Sequence, residues 1–259
     1  MELGGSARMI GHILATLLPV FLIAGCGAAY GRYRTPDIRS LNTLNMELFV
    51  PLLVFAVLAD RQAPLAEYAW LATAAVAVVL GSGVVLWPLA KWLKLDIKTF
   101  LPPMMFNNAG NMGVPLLVLA FGAEALPAAV VVFIVEMLLH FSVGLYMLNP
   151  RTSLWRMLRM PIVLASLAGL TVNISGLPLP GWLLEAMHML GGVCIPLMLF
   201  ALGVRLLEID FSDWRTGMLG AVLCPLSGLI IALPLMWLLP LTALQMAVLL
   251  VFAALPPAV

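Results

Sequence analysis

Nine apolar runs, each near the length that crosses a bilayer and separated by short charged clusters, leave this chain few ways to fold. A hydrocarbon core about 30 Å thick takes roughly 20 helical residues to cross. The runs are Ile10–Tyr30, Leu41–Ala59, Tyr68–Leu89, Phe100–Phe121, Ala125–Leu148, Leu158–Ile174, Leu183–Leu206, Gly217–Leu239 and Thr242–Val259. Inside lipid the backbone must satisfy its own polar groups, so such runs form helices. Barrel strands need short segments of alternating polarity, and the sequence has none. A water-soluble alternative fails on charge. Only 10% of residues are charged and 63% are hydrophobic, where a soluble domain carries about 25% charged residues. The expectation is an all-α polytopic membrane protein.

The connectors fix an orientation. The odd ones, counted from the first span, hold Arg32, Arg34 and Arg39, then Lys91, Lys94 and Lys98, then Arg151, Arg156 and Arg159, then Arg205 and Arg215. Only Arg8 and Arg61 lie on the other side. Basic loops stay in the cytoplasm, so the N-terminus is expected outside and the odd-numbered connectors inside, in a plasma membrane or bacterial inner membrane. Trp87, Trp92, Trp155, Trp182 and Trp214 fall near the expected interfaces and suit anchoring. The first run follows a single Arg and has no small-residue cleavage site, so it reads as a retained span.

Two segments repeat. Pro51-Leu-Leu-Val-Phe-Ala56 in the second span matches Pro196-Leu-Met-Leu-Phe-Ala201 in the seventh. Five spans separate them, and an odd number turns the second copy upside down. The same offset sets the third span against the eighth and Asn111 opposite Pro256. The chain therefore reads as an inverted 5+5 helix repeat with crossed, discontinuous fourth and ninth helices. Residues 1–150 form the first repeat and 151–259 an incomplete second one. Inverted repeats of this kind hold solutes at the membrane midplane, where helices are broken. The second repeat reaches Val259 before its tenth helix, so the reading expects roughly 40 to 60 further residues. The alternative is a nine-span chain completed by a partner.

The fourth span breaks at Phe106-Asn-Asn-Ala-Gly-Asn-Met-Gly-Val-Pro-Leu116. Asn107, Asn108 and Asn111 carry amides into an apolar run. Gly110 and Gly113 free the backbone, and Pro115 donates no backbone hydrogen bond and restricts Val114. Close helix packing explains glycines alone, and a kink explains a proline alone; neither explains three asparagines in five positions. A half-helix starting near Val114 or Pro115 would aim its positive end inward, at a carboxylate or another anion. Pro256 and Pro257 mark the matching break in the ninth span.

Three further polar residues fall within spans. Glu136 and His140 stand four apart on one helix face, either as a proton relay or as a hydrogen-bonded packing pair. Glu47, with Asn45 beside it, either lines an inner vestibule or binds a coupling cation, or else pairs with an interfacial base. His12 and His188 read as interfacial, and Asn173 and Gln245 as caps or packing groups. Cys26, Cys194 and Cys224 are far apart with no CxxC, which fits small buried thiols and gives little support to a metal or disulfide role. The sequence shows no nucleophile–base set, phosphate loop, dinucleotide fingerprint or basic aromatic patch, so no catalytic residue, cofactor or nucleic-acid partner is expected.

Residues Asn107 to Pro115, NNAGNMGVP, resemble the fourth-helix signature of the auxin efflux carrier family of membrane permeases. VPLLVFAVLA from Val50, IPLMLFALGVRL from Ile195 and VLLVFAALPPAV from Val248 are similar to that family's second, seventh and ninth helices. The resemblance implies ten helices in two inverted repeats, an architecture shared with bile acid symporters, and a solute site where the unwound helices cross. It implies roles there for Asn107, Asn111, Gly113 and Pro115, with Pro256 or Pro257. Its members move auxin or other carboxylates. The linker from Asn149 to Arg159 is short, as in bacterial members. The expected partners are thus a small organic anion and the lipid bilayer, with a homodimer as the assembly considered. The expected coupling ion is H+, with Na+ as the alternative. A channel or receptor on the same scaffold and a non-transporting subunit are the rival functions.

Overall fold

A computed structural model describes residues 3–60, 65–151, 154–208 and 214–258. Arg61 and Val259 lie outside them, as do the side chains of Arg8, His12, Arg156 and Arg215. Among the described residues the chain is all-helical, apart from one isolated bridge between Asn107 and Pro257.

In order, the helices are α1 (Leu3–Tyr33), α2 (Ile38–Leu44), α3 (Val50–Ala59), α4 (Ala69–Trp92), α5 (Ile97–Met105), α6 (Val114–Phe121) and α7 (Leu126–Leu139). There follow α8 (Leu145–Leu148), α9 (Pro161–Ser175), α10 (Gly181–Gly192), α11 (Cys194–Arg205), α12 (Trp214–Leu238) and α13 (Ala243–Ala253). Several merge through π-helical or 3-10 turns. Six helical stretches are long and apolar enough to cross a membrane: Leu14–Tyr33, Ile38–Ala59, Ala66–Trp92, Ala123–Leu148, Gly181–Glu208 and Gly217–Leu238. Three shorter apolar helices, Ala109–Phe121, Pro161–Ser175 and Ala243–Ala253, fall in the fourth, sixth and ninth expected runs. The chain is a polytopic membrane protein, with six helical stretches among the described residues long and apolar enough to span.

The ends of these helices follow from local chemistry. Asp37 caps α2 through Ser40, and Asp96 caps α5 through the backbone and hydroxyl of Thr99. Thr242 and Gln245 form a reciprocal capping box at the start of α13. The Gln245 amide also donates to the Glu67 carbonyl at 3.0 Å, and Asn173 donates to the Asp60 carbonyl at 2.7 Å. Both residues thus cap or pack, as their isolation in the sequence suggested.

The exterior is greasy. Phe21, Leu22, Val84, Ile174 and Trp237 are exposed, which costs little against lipid and a great deal against water. The core relies on close backbone approach. A Cβ at Gly27 would overlap the Phe200 carbonyl, and one at Gly203 would overlap the Ala24 carbonyl, so α1 and α11 touch main chain to main chain.

Contacts sort the helices into two groups. In one, α1 packs on α11, and α3 packs on α9 and α10. In the other, α4 packs on α5, α7 and α12, and α12 packs on α13. α5 and α13 belong to the second group, while α6 packs on both α1 and α7 and so touches both groups.

Candidate functional site

α5 ends at Met105, and the next three residues leave the helix. Phe106 is extended, with φ −102° and ψ 105°. The chain recoils in a π-helical turn over Ala109–Gly113 and continues as α6. The break is narrower than the sequence suggested. Only Phe106–Asn108 is unwound; Gly110, Asn111 and Gly113 lie in the wide turn, and Pro115 follows directly as the second residue of α6, within a helix that runs on to Phe121.

The second break meets the first. α13 stops at Ala253, because neither Pro256 nor Pro257 can donate to the preceding turn. The two unwound stretches then pair as short antiparallel strands. Asn108 N–H donates to the Pro256 carbonyl at 2.8 Å, and Ala258 N–H donates to the Phe106 carbonyl at 3.0 Å. Buried backbone groups freed by each break are thereby satisfied by the other. The Asn107 amide completes the joint by donating to the Phe252 carbonyl at 2.6 Å. That carbonyl would receive the N–H of residue 256 in a continuous helix, and residue 256 is proline. The Cys224 thiol, from α12, donates to the Leu255 carbonyl at 3.6 Å.

The recoil produces a helix start. Ala109 N–H bonds to the Asn107 carbonyl, and Met112 and Gly113 N–H bond to that of Asn108. Gly110 and Asn111 N–H have no acceptor in the preceding turn of their own helix. Beside the joint opens a cavity of about 720 Å³, between the two helix groups. Its walls are Thr99, Phe100, Pro103 and Met104 of α5, Asn108 and Met112, Leu202 of α11, Gly220 and Ala221 of α12, and Pro256 and Pro257. Leu95, Asp96, Leu206 and Gly217 stand at one end, beside the third and seventh connectors.

The residues singled out in the sequence therefore divide. Asn108, Pro256 and Pro257 line the cavity. Asn107 is buried and tied to Phe252, and its Oδ1 has no partner among the described residues. An added Cβ would stand 2.7 Å from Leu255 Cδ1 at Gly113 and 3.0 Å from Phe133 Cε2 at Gly110, so each neighbour would have to shift. Asn111 is half-buried and outside the cavity walls. Thr99, Met104, Leu202 and Gly220 gave no sequence signal, because only the packing of α5, α11 and α12 brings them together.

Glu136 is buried, with its carboxylate 3.4 Å from His140 Nδ1. His140 opens a second π-helical turn, His140–Gly144, and its ring stands 4.8 Å from that of Phe106. It lines a separate cavity of about 390 Å³ with Lys98, Thr99, Pro102 and Ala258. Glu47 sits in a third π-helical turn, Asn45–Phe49, and is exposed, outside the walls of both cavities. Neighbouring Asn45 is buried, and its Oδ1 has no partner among the described residues. No group of three or more His, Cys, Asp or Glu that could hold a metal occurs among the described residues.

A family model described as "Membrane transport protein" matches residues 12–153, more than half of the 259 residues. No match was found among curated proteins.

Proposed function

We propose that this chain, which belongs to the membrane transport protein family, is a secondary transporter of a small organic anion that works by alternating access. The observation that carries the proposal is the pairing of two helix breaks beside a cavity between two helix groups. Such breaks place backbone dipoles at mid-membrane, where a solute can replace its water shell.

The chemistry of the cavity selects the solute. About 720 Å³ suits a small organic molecule. Phe100, Met104, Met112, Leu202 and the two prolines offer apolar contact, while Asn108 and Thr99 offer hydrogen bonds. The half-helix that starts at Ala109 turns its positive end toward this region, which favours a carboxylate. An anion with an apolar body, such as an auxin-like acid, fits these walls better than a highly charged one.

The helix pairs also support the inverted 5+5 repeat, since α1 with α11 and α4 with α12 mix the two halves of the chain. Under the orientation drawn from the basic connectors, the end of the cavity at Leu95, Asp96 and Leu206 faces the cytoplasm, so this conformation is inward-facing. Rocking one helix group against the other would close that end and open the opposite one. The buried Glu136 beside His140 supports coupling to protons. Sodium remains the second reading, favoured by the unpartnered amide oxygens of Asn45 and Asn107.

The test is flux into proteoliposomes of indole-3-acetate, malonate and malate, each under an imposed proton gradient and an imposed sodium gradient. Saturable uptake driven by one gradient, and reduced about tenfold by Asn108→Leu through loss of a buried hydrogen bond, is expected. Flux that never saturates and never runs uphill would replace the carrier by a channel. Undiminished uptake in a folded Asn108→Leu variant would move the site elsewhere.

A further inference from the structure

We infer that Phe106 is the positioning residue through which the protonation state of the Glu136–His140 pair reaches the paired helix breaks. The inference rests on the proton-coupling reading above. Phe106 is buried and belongs to both structures at once. Its carbonyl accepts the Ala258 N–H at 3.0 Å, one of the bonds that joins the two breaks. Its ring lies 4.8 Å from the imidazole of His140 at an interplanar angle of 33°. The same ring packs against Gly144, where an added Cβ would stand 2.8 Å from Phe106 Cε2. His140 and Gly144 open and close one π-helical turn, a form of helix frequent at functional sites. The ring thus touches two residues of that turn, and the backbone of the same residue is held by the crossing chain.

The two protonation states act on this ring differently. A neutral imidazole offers dispersion and weak edge contacts. An imidazolium at the same distance is attracted to the ring face and, on its other side, to the Glu136 carboxylate at 3.4 Å. Other charges near this stretch are few. Lys98 of α5 lines the same cavity as His140. Lys91 stands at the end of α4, which packs on α7, and holds its ammonium over the Trp87 ring. Arg159 ends the turn Leu154–Arg159, which touches His140–Gly144, and faces the Trp155 ring. Glu136 is the residue in direct contact, so it and His140 form the sensing pair and Phe106 the link.

Hydrogen–deuterium exchange of the full chain in detergent, measured at pH 5.5 and pH 8 and corrected for intrinsic rates, tests this. The readouts are the amides of Asn108 and Ala258, whose bonds form the joint. In the unmodified protein their protection is expected to differ about two- to fivefold between the two pH values. His140→Gln and Phe106→Leu should each abolish the difference. If Phe106→Leu does not fold, Gly144→Ala displaces the ring without removing it and should act the same way. A difference lost in His140→Gln but kept in Phe106→Leu and Gly144→Ala overturns the link and leaves the proton pair standing. A pH-independent unmodified protein, or a difference that survives His140→Gln, overturns the proton-pair reading and the link with it.

Discussion

Replacing Asn107 with alanine removes the donor that stands in for the N–H of Pro256. The bond to the Phe252 carbonyl is short, at 2.6 Å, and buried. Leaving a buried carbonyl unsatisfied costs about 1–3 kcal/mol. Alanine also deletes an Oδ1 that has no partner among the described residues, which offsets part of that cost. A net loss of about 1–2 kcal/mol follows, or roughly 2–8 °C in Tm for a chain of this size. Asn107→Asp keeps the shape and reverses the chemistry, since an ionised carboxylate sets an acceptor against the Phe252 carbonyl. Only the protonated acid can donate there. Folding of that variant is then coupled to proton uptake, so its stability falls as pH rises. Melting followed by tryptophan fluorescence in detergent should order the proteins as unmodified, alanine, aspartate at pH 8, with the aspartate deficit shrinking toward pH 5. An alanine variant within about 1 °C of the unmodified protein, or an aspartate variant that melts above it at pH 8, would refute the reasoning and point to a ligand role for the Asn107 oxygen.

Other perturbations have equally definite outcomes. Gly203→Ala would drive a methyl into the Ala24 carbonyl and should cost about 1–3 kcal/mol or more, while Gly25→Ala, with open space around it, should be neutral or slightly stabilising; thermal melts compare them directly. Gly228→Ala would strike the Ala253 carbonyl, where α13 ends, and should increase exchange at the Ala258 amide as well as lower Tm. Asp96 is exposed, and the Thr99 hydroxyl beside it holds its carboxyl below the ordinary value of 3.8. Its folded pKa is depressed, so its contribution is present above that value and is lost as pH falls through the lower, folded one. Exchange at the start of α5 should therefore rise only in strong acid, and Asp96→Asn should flatten that rise.

The membrane spans were legible because one physical term dominates them: burying twenty apolar residues in lipid outweighs every local preference. The break in the fourth span was legible too, since amides and a proline inside an apolar run demand an explanation. Its extent was not. Pro115 reads as a breaker in sequence, yet the helix runs through it from the π-helical turn into α6, and the glycines lie in that turn. Asn107 looked like a solute ligand, yet it holds the Phe252 carbonyl, a partner 145 positions away. Only the crossing of two segments creates that need. Phe106 was invisible for the same reason: an apolar residue in an apolar run announces nothing until His140, from the turn His140–Gly144, arrives beside its ring. Glu47 looked interior by its depth in a span, and the turn Asn45–Phe49 rotates it outward while Asn45 takes the buried place.

The joint between the two breaks is made mostly of main-chain amides and carbonyls, with the Asn107 amide and the Cys224 thiol as side-chain clasps. Any amino acid except proline can supply the Asn108 and Ala258 amides. On the proposed reading, Met104, Met112, Leu202 or Ala221 can be exchanged to suit a new cargo while the backbone joint beside them stays untouched. Such a frame would let specificity drift quickly and architecture slowly.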